Sequence, residues 1–66
     1  MRVLVNGRPR DLPAGATVST LVQELGGGDR GVAVAIGQEV VPRSAWETTA
    51  LREGMRVEVL TAVQGG

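Results

Sequence analysis

The chain has 66 residues, in which seven arginines balance seven acidic residues, so the formal net charge is zero and lysine is absent. A neutral chain does not suit a nucleic-acid binder that relies on phosphate neutralisation, and a domain of about 60 residues buries only roughly 60% of its unfolded surface, which leaves no room for a large catalytic cleft. Cysteine and histidine are both absent, which excludes disulfides, zinc sites built from those ligands and histidine-dependent nucleophilic catalysis within the chain.

The first two predicted strands form a hairpin. Residues 2–6 are rich in β-branched side chains, and the pair Asn6-Gly7 is a strong signal for a type I′ turn, whose two central residues both need positive φ. Residues 8–12 then return as the second strand. Because Pro9 has no N–H to donate to a neighbour, we predict this strand at a sheet edge.

An amphipathic helix is predicted to follow a turn at residues 13–16. Thr17 is a preferred N-cap residue, and Gly26 is a natural stop. The third helical position holds Thr20, where the reciprocal capping box has Glu or Gln, so we expect that box to be missing. Apolar residues at i, i+3, i+4 and i+7 predict one buried stripe, which consists of Val18, Leu21, Val22 and Leu25.

The next part of the chain predicts two more strands and a helical turn. Residues 26–31 form a glycine-rich linker, not a phosphate-binding loop, because the Lys-Ser/Thr pair of a P-loop is missing and the segment follows a helix. Residues 32–36 are apolar on both faces, which indicates a central strand. A short fourth strand at residues 40–41 ends at Pro42, and residues 43–46 are predicted to make one helical turn.

The order β-β-α-β-β-β indicates an α+β fold, in which one helix covers one face of a mixed sheet of four to five strands. We predict a β-grasp (ubiquitin-like) domain, residues 1–66, with the first and last strands parallel at the centre and a flexible tail at residues 63–66. Trp46, the one aromatic residue, is predicted to cover an end of the core. The predicted core is Val3, Val5, Val18, Leu21, Val22, Leu25, Val34, Ile36, Leu51, Val57 and Val59.

The last predicted strand leads directly into Val63-Gln64-Gly65-Gly66. Residues 55–62 alternate in period two, as a strand does. Two terminal glycines alone indicate little, because glycine loses much backbone freedom on ordering and chain ends are usually loose. A strand that delivers an unbranched carboxylate into solvent is nevertheless how a carrier protein presents a reactive end, so we predict that this end is chemically used.

The alternation also leaves two leucines on the face opposite the helix. If Val3, Val5, Val57 and Val59 point inward, then Leu4 and Leu60 point outward. On neighbouring strands these two would form an apolar spot beside the start of the tail. Single exposed leucines need no explanation, but contiguous apolar surface often marks a partner site, so Leu4 and Leu60 are the candidate docking patch.

Over essentially its whole length the chain resembles the ThiS-type sulfur carrier proteins of thiamin biosynthesis, a ubiquitin-like β-grasp family. The most specific shared pieces are residues 35–46, with Val40-Val41-Pro42-Arg43 followed by Trp46, and the terminal Gly65-Gly66. The first of these is more typical of the thiamin carriers than of the molybdopterin carriers. Gly37 departs from the family, since asparagine is common there.

The resemblance implies a definite chemistry at the tail. An E1-like, ThiF-type activating enzyme uses ATP and Mg²⁺ to adenylate the Gly66 carboxylate, and a persulfide donor then supplies the sulfur of a C-terminal thiocarboxylate. A ThiG-type thiazole synthase takes that sulfur. Gly65 and Gln64 would be recognised in the tail. The resemblance thus implies a carrier that binds no cofactor or metal itself, and catalysis belongs to its partners.

Other interpretations stay open at this point. The tail chemistry would be the same in a sulfur carrier for molybdopterin synthesis, tRNA thiolation or cysteine synthesis. A protein-conjugating modifier would instead transfer Gly66 to a lysine of a target, and a plain interaction module would have inert glycines. No apolar run has the length of a membrane span and no secretion signal is evident, so we expect a cytoplasmic location and no membrane partner.

Overall fold

A mixed five-stranded sheet with one helix across one face makes up the structure, a computed structural model that describes residues 1–26 and 31–61. The sheet order is β2-β1-β5-β3-β4. This architecture confirms the predicted β-grasp. In chain order the elements are β1 (Arg2–Val5), β2 (Arg8–Asp11), α1 (Val18–Glu24), β3 (Val32–Ile36), β4 (Glu39–Val41), a 3-10 helix (Arg43–Ala45) and β5 (Arg56–Thr61).

The last strand, β5, occupies the centre of the sheet. It runs parallel to β1, with Leu4 opposite Arg56 and Val5 opposite Val57, and antiparallel to β3 from Val57 to Thr61. Parallel neighbours need a long crossover connection, and here the helix and three further strands lie between β1 and β5. The prediction that the first and last strands pair in parallel at the centre is therefore confirmed.

Two tight turns shape the sheet edges. Asn6 and Gly7 have φ of 53° and 83°, as a type I′ hairpin requires, and β2 lies at the sheet edge where Pro9 predicted it. The β3–β4 turn has the same handedness, since Gly37 and Gln38 have φ of 57° and 74°. The position of this second turn follows from the strands predicted at residues 32–36 and 40–41, whereas its conformation was not predicted.

The helix begins as predicted, but the expectation of a missing capping box was wrong. The Thr20 N–H donates to the Thr17 hydroxyl (3.3 Å), and the Thr17 N–H donates back to the Thr20 hydroxyl (3.1 Å). A hydroxyl oxygen has lone pairs and accepts as a carboxylate does. Threonine at the third helical position therefore completes the reciprocal box in place of glutamate.

The core lies between α1 and the inner sheet face, and two predicted members are not fully inside it. Leu25 was wrongly predicted to be buried: it is 39% exposed, because α1 ends at Glu24 and Leu25 is the C-cap that precedes Gly26 (φ 77°). Ile36 is half-buried against the core. The buried residues are Val3, Val5, Leu12, Ala16, Val18, Leu21, Val22, Val34, Trp46, Leu51, Val57 and Val59.

Trp46 closes one end of the core, as predicted. Its side chain is 5% exposed, and its indole N–H donates to the carbonyl of Val41 (3.0 Å). The same segment covers the start of α1, because the carbonyl of Trp46 accepts from the Ser19 N–H and that of Thr49 accepts from the Val18 N–H. Residues 46–49 thus satisfy helix amides that would otherwise lack partners.

The capping box generates a test of local stability. Thr20→Val keeps the shape of the side chain but removes its acceptor, so we expect the free energy of unfolding to fall by about 0.5–2 kcal/mol. Thr20→Ser retains the hydroxyl and is the matched control. Denaturant unfolding of both variants measures the difference, and equal loss of stability in the two would refute the role of the hydroxyl.

Candidate functional site

The described part of the chain shows how the root of the tail, which is the end of β5 at Leu60 and Thr61, is held. β5 points alternate residues into the core, where Val57 and Val59 are 1% and 8% exposed, and it pairs with β3 as far as Thr61. Gln64, Gly65 and Gly66, the predicted site residues of the tail, lie outside the described residues. The tail therefore starts from a strand that is fixed in the centre of the sheet.

The two leucines of the predicted docking patch share a face but do not meet. Both point to the helix-free side, because their strand neighbours are buried. Leu4 lies opposite Arg56, so Leu60 is four residues further along β5, about 13 Å away at the usual rise per residue. Arg56 lies beside Leu4, and Glu58 lies between Arg56 and Leu60 on this face. Leu4 is half-buried, whereas Leu60 is 69% exposed.

A different set of residues forms the apolar surface around Leu60. Ala33 lies directly opposite Leu60, and Ala35 lies opposite Val40, which is 73% exposed. We call Leu60, Ala33, Ala35 and Val40 the Leu60 surface. Sequence reasoning missed Val40, although the burial of Val34 and the alternation along β3 and β4 would have placed it outward.

The Leu60 surface has a shallow depression beside the root of the tail. Gly31, Val32, Ala33, Leu60 and Thr61 line it, and its volume is about 430 Å³. Exposed apolar side chains grouped on one sheet face are a common mark of a protein partner site. A partner that covers this depression would also lie against the point where the chain leaves β5.

The clearest electrostatic feature lies at the other end of β1, away from the tail. Arg2 Nε donates to Asp11 Oδ1 at 3.0 Å, and this hydrogen bond, together with the charge of Arg2, lowers the pKa of the Asp11 carboxyl. Both side chains are largely exposed, so screening by solvent leaves the pair little weight in the stability of the fold. The pair belongs to the β1–β2 hairpin.

Residues 1–26 and 31–61 contain neither a candidate metal site nor a candidate membrane-spanning helix. No group of three or more Asp or Glu side chains in these ranges is placed to hold a metal ion. No helix in them has the length and apolar character needed to cross a bilayer.

A family model, related proteins and solved structures all place the chain in the same family. Residues 3–66 match the model of the ThiS family. The chain is 32% identical to the sulfur carrier protein ThiS of Escherichia coli over 66 residues, which cover all of both chains. It is 38% identical to ThiS of Thermus thermophilus over 64 residues, 97% of this chain and 98% of that one.

Two further similarities extend these matches. A solved structure of a ThiS protein from Geobacter metallireducens superposes with a TM-score of 0.81 at 30% identity, covering all of both chains. The chain is also 36% identical, over its full length, to part of a thiazole synthase from Paramagnetospirillum magneticum. It spans only 20% of the length of that protein.

Because the Leu60 surface is exposed, we expect a charged substitution there to have little effect on the stability of the fold. Leu60→Asp replaces a side chain that is 69% exposed, so we expect the free energy of unfolding to change by no more than about 0.5 kcal/mol. Val59→Asp, one residue earlier, places an unpaired carboxylate in the core and should leave the chain largely unfolded. Circular dichroism during urea unfolding measures both, and strong destabilisation by Leu60→Asp would contradict the outward placement.

Proposed function

This chain belongs to the ThiS family, and we propose from that premise that it carries sulfur for the formation of the thiazole of thiamin. The observation that carries the proposal is the match to the Escherichia coli carrier, which covers all of both chains. The structure supports it, because the strand that leads to Gly66 has a paired strand on each side in the centre of the sheet.

The proposed attachment point is the carboxylate of Gly66. With no cysteine in the chain, a thiol side chain is not available to hold sulfur. A terminal carboxylate has a pKa of about 3.3–3.7 and is an anion at neutral pH, so it needs activation before a nucleophile attacks. Glycine leaves its carbonyl unhindered, and Gly65 and Gln64 are proposed as the residues that a partner recognises beside it.

Activation is assigned to an E1-like, ThiF-type enzyme that uses ATP and Mg²⁺. A Gly66 carboxylate oxygen attacks the α-phosphorus of ATP, pyrophosphate leaves, and a mixed anhydride with AMP forms. The terminal sulfur of a persulfide then attacks the Gly66 carbonyl and displaces AMP, which gives an acyl disulfide. A second thiol cleaves that disulfide, so the thiol donor is oxidised and the Gly66 thiocarboxylate is released.

A thiazole synthase is the proposed acceptor of this sulfur. The similarity of the chain to part of a protein named thiazole synthase supports the pairing, since there a carrier-like segment and the rest of that protein share one polypeptide. We assign all catalytic steps to the partners and none to this chain, which lacks histidine and cysteine. The cytoplasm is the proposed location, because ATP and persulfide donors meet there.

The Leu60 surface is proposed to contact the activating enzyme. Ordering a tail of several residues costs roughly 1–2 kcal/mol per residue, and contacts on the folded body must offset that cost. Leu60 offers exposed apolar area next to the tail root, and Val40 extends that area on β4, whereas Leu4 is half-buried further down the face. Leu60 therefore has the larger expected contribution of the two leucines.

Replacing the last glycine tests the tail chemistry. Gly66→Ala adds a methyl group beside the attacked carbonyl, and we expect thiocarboxylate formation by the activating enzyme to slow by about tenfold or more, since small misplacements at a reacting centre cost this much. Val63→Ala changes the tail without touching that carbonyl and is the matched control. Intact-mass spectrometry of timed reactions measures the yield, and equal rates for the two variants would contradict the proposal.

The same reaction separates a carrier from a conjugating modifier. With ATP, Mg²⁺, the activating enzyme and a sulfur source, a carrier gains only the mass of one oxygen-to-sulfur replacement. A modifier would instead form higher-mass adducts with lysines of other proteins. Adding thiazole synthase and its substrates then tests the acceptor, because a thiamin carrier loses its sulfur and returns to the starting mass.

Charge substitutions test the docking surface. We expect Leu60→Asp and Val40→Asp each to weaken binding to the activating enzyme by about tenfold, the effect of roughly 1.4 kcal/mol. Leu25→Asp is the matched control, because Leu25 is an exposed leucine on the helix side of the sheet. Calorimetric titration measures the dissociation constants, and an unchanged value for Leu60→Asp in a folded variant would reject the surface.

A further inference from the structure

The free side of β5 begins where β1 ends. The last backbone hydrogen bond between these strands runs from the Asn6 N–H to the carbonyl of Val57 (2.9 Å). β5 continues for four more residues, to Thr61, and β3 pairs with it there on the other side. Along residues 58–61, no strand of the described part of the chain pairs with β5 on the β1 side.

One side chain takes the place of a paired strand there. The Asn6 amide nitrogen donates to the carbonyl of Val59 (3.0 Å), and the Asn6 amide oxygen accepts from the Val59 N–H (2.9 Å). The carboxamide thus forms both hydrogen bonds that a further strand residue would form. The two bonds join residues 53 positions apart in the sequence.

We propose that Asn6 is a positioning residue for the tail, which holds the free side of β5 at Val59 so that the reactive end leaves the sheet from a fixed point. This inference rests on the proposed function, because it takes Gly66 as the end that the partner enzymes load. Val59 precedes Gly66 by seven residues. A strand that frayed from Glu58 onward would lengthen the segment that a partner has to order on binding.

The turn alone does not require this side chain. Asn6 has a φ of 53°, and glycine or aspartate would satisfy a type I′ turn as well. Among these three residues, only asparagine carries both a donor and an acceptor at neutral pH. The backbone of Val59 likewise offers one donor and one acceptor, and the Asn6 amide pairs with both. The amide therefore has a role that the conformation of the hairpin does not require.

The test uses two substitutions of Asn6 and a matched control. Asn6→Gly removes the side-chain amide, and glycine can adopt the same turn conformation. Asn6→Asp keeps a side-chain acceptor but loses the donor. Gln38→Gly makes the same kind of change in the other left-handed turn, where φ is 74°, away from the tail root. All three are made in the full chain.

Hydrogen exchange is the first readout. With Asn6→Gly we expect the amides of residues 59–61 to exchange about fivefold to thirtyfold faster, as the loss of one or two hydrogen bonds implies, while the amide of Val3 in the core changes little. Asn6→Asp should give an intermediate value, and Gln38→Gly should leave residues 59–61 unchanged. Uniformly faster exchange throughout the core would overturn the inference, because it would show general stability alone.

The kinetics of activation are the second readout. In an ATP–pyrophosphate exchange assay with the activating enzyme, we expect Asn6→Gly to raise the KM for the carrier by about fivefold, since pre-organisation is lost, and to leave kcat unchanged. An unchanged KM would overturn the inference. If the wild-type chain itself supports no exchange of pyrophosphate, the proposed function fails, and the hydrogen-exchange pattern then decides the role of Asn6 by itself.

Discussion

The parallel pairing of β1 with β5 is the constraint on which the rest of the structure depends. It places the strand that precedes the tail in the middle of the sheet, between β1 and β3. A strand with two neighbours and a buried inner face is held by hydrogen bonds on both sides and by the core below. Val57 and Val59 anchor β5 to that core, so the chain leaves the fold at a defined place.

Around this centre, the small size of the domain forces several residues into more than one role. Trp46 fills an end of the core, donates to Val41 and, through its carbonyl, satisfies a helix amide. Asn6 makes the hairpin turn and also bonds Val59. A chain with no disulfides and limited buried area gains order from such shared contacts. The outer face is left apolar around Leu60, beside the point where the chain leaves β5.

Much of this arrangement could be predicted from the sequence. Strand alternation gave the buried valines, Asn6-Gly7 gave the hairpin, and Pro9 gave the edge strand, since each depends on local stereochemistry. The predicted burial of Leu25 was wrong, because the apolar periodicity of the sequence continues past Glu24, where the helix ends. The Thr20 hydroxyl was overlooked because the usual box rule names only Glu and Gln at that position.

The remaining features depend on tertiary register, which no local pattern contains. Face alternation placed Leu4 and Leu60 on one side correctly, but only the pairing of Leu4 with Arg56 shows how far apart they lie. The same register brings the Asn6 amide to Val59. A turn preference explains why asparagine occurs in the hairpin, yet it does not show what a distant strand offers to the side chain.

The central claim is that the fold presents the Gly66 acyl end for loading with sulfur. The most direct test is fragmentation mass spectrometry of the intact protein, isolated from its source cells during growth without thiamin. We predict a population in which one oxygen is replaced by sulfur and the added mass lies on the C-terminal residue. A protein in which that end is always an unmodified carboxylate, under conditions where the cells make thiamin, would contradict the claim.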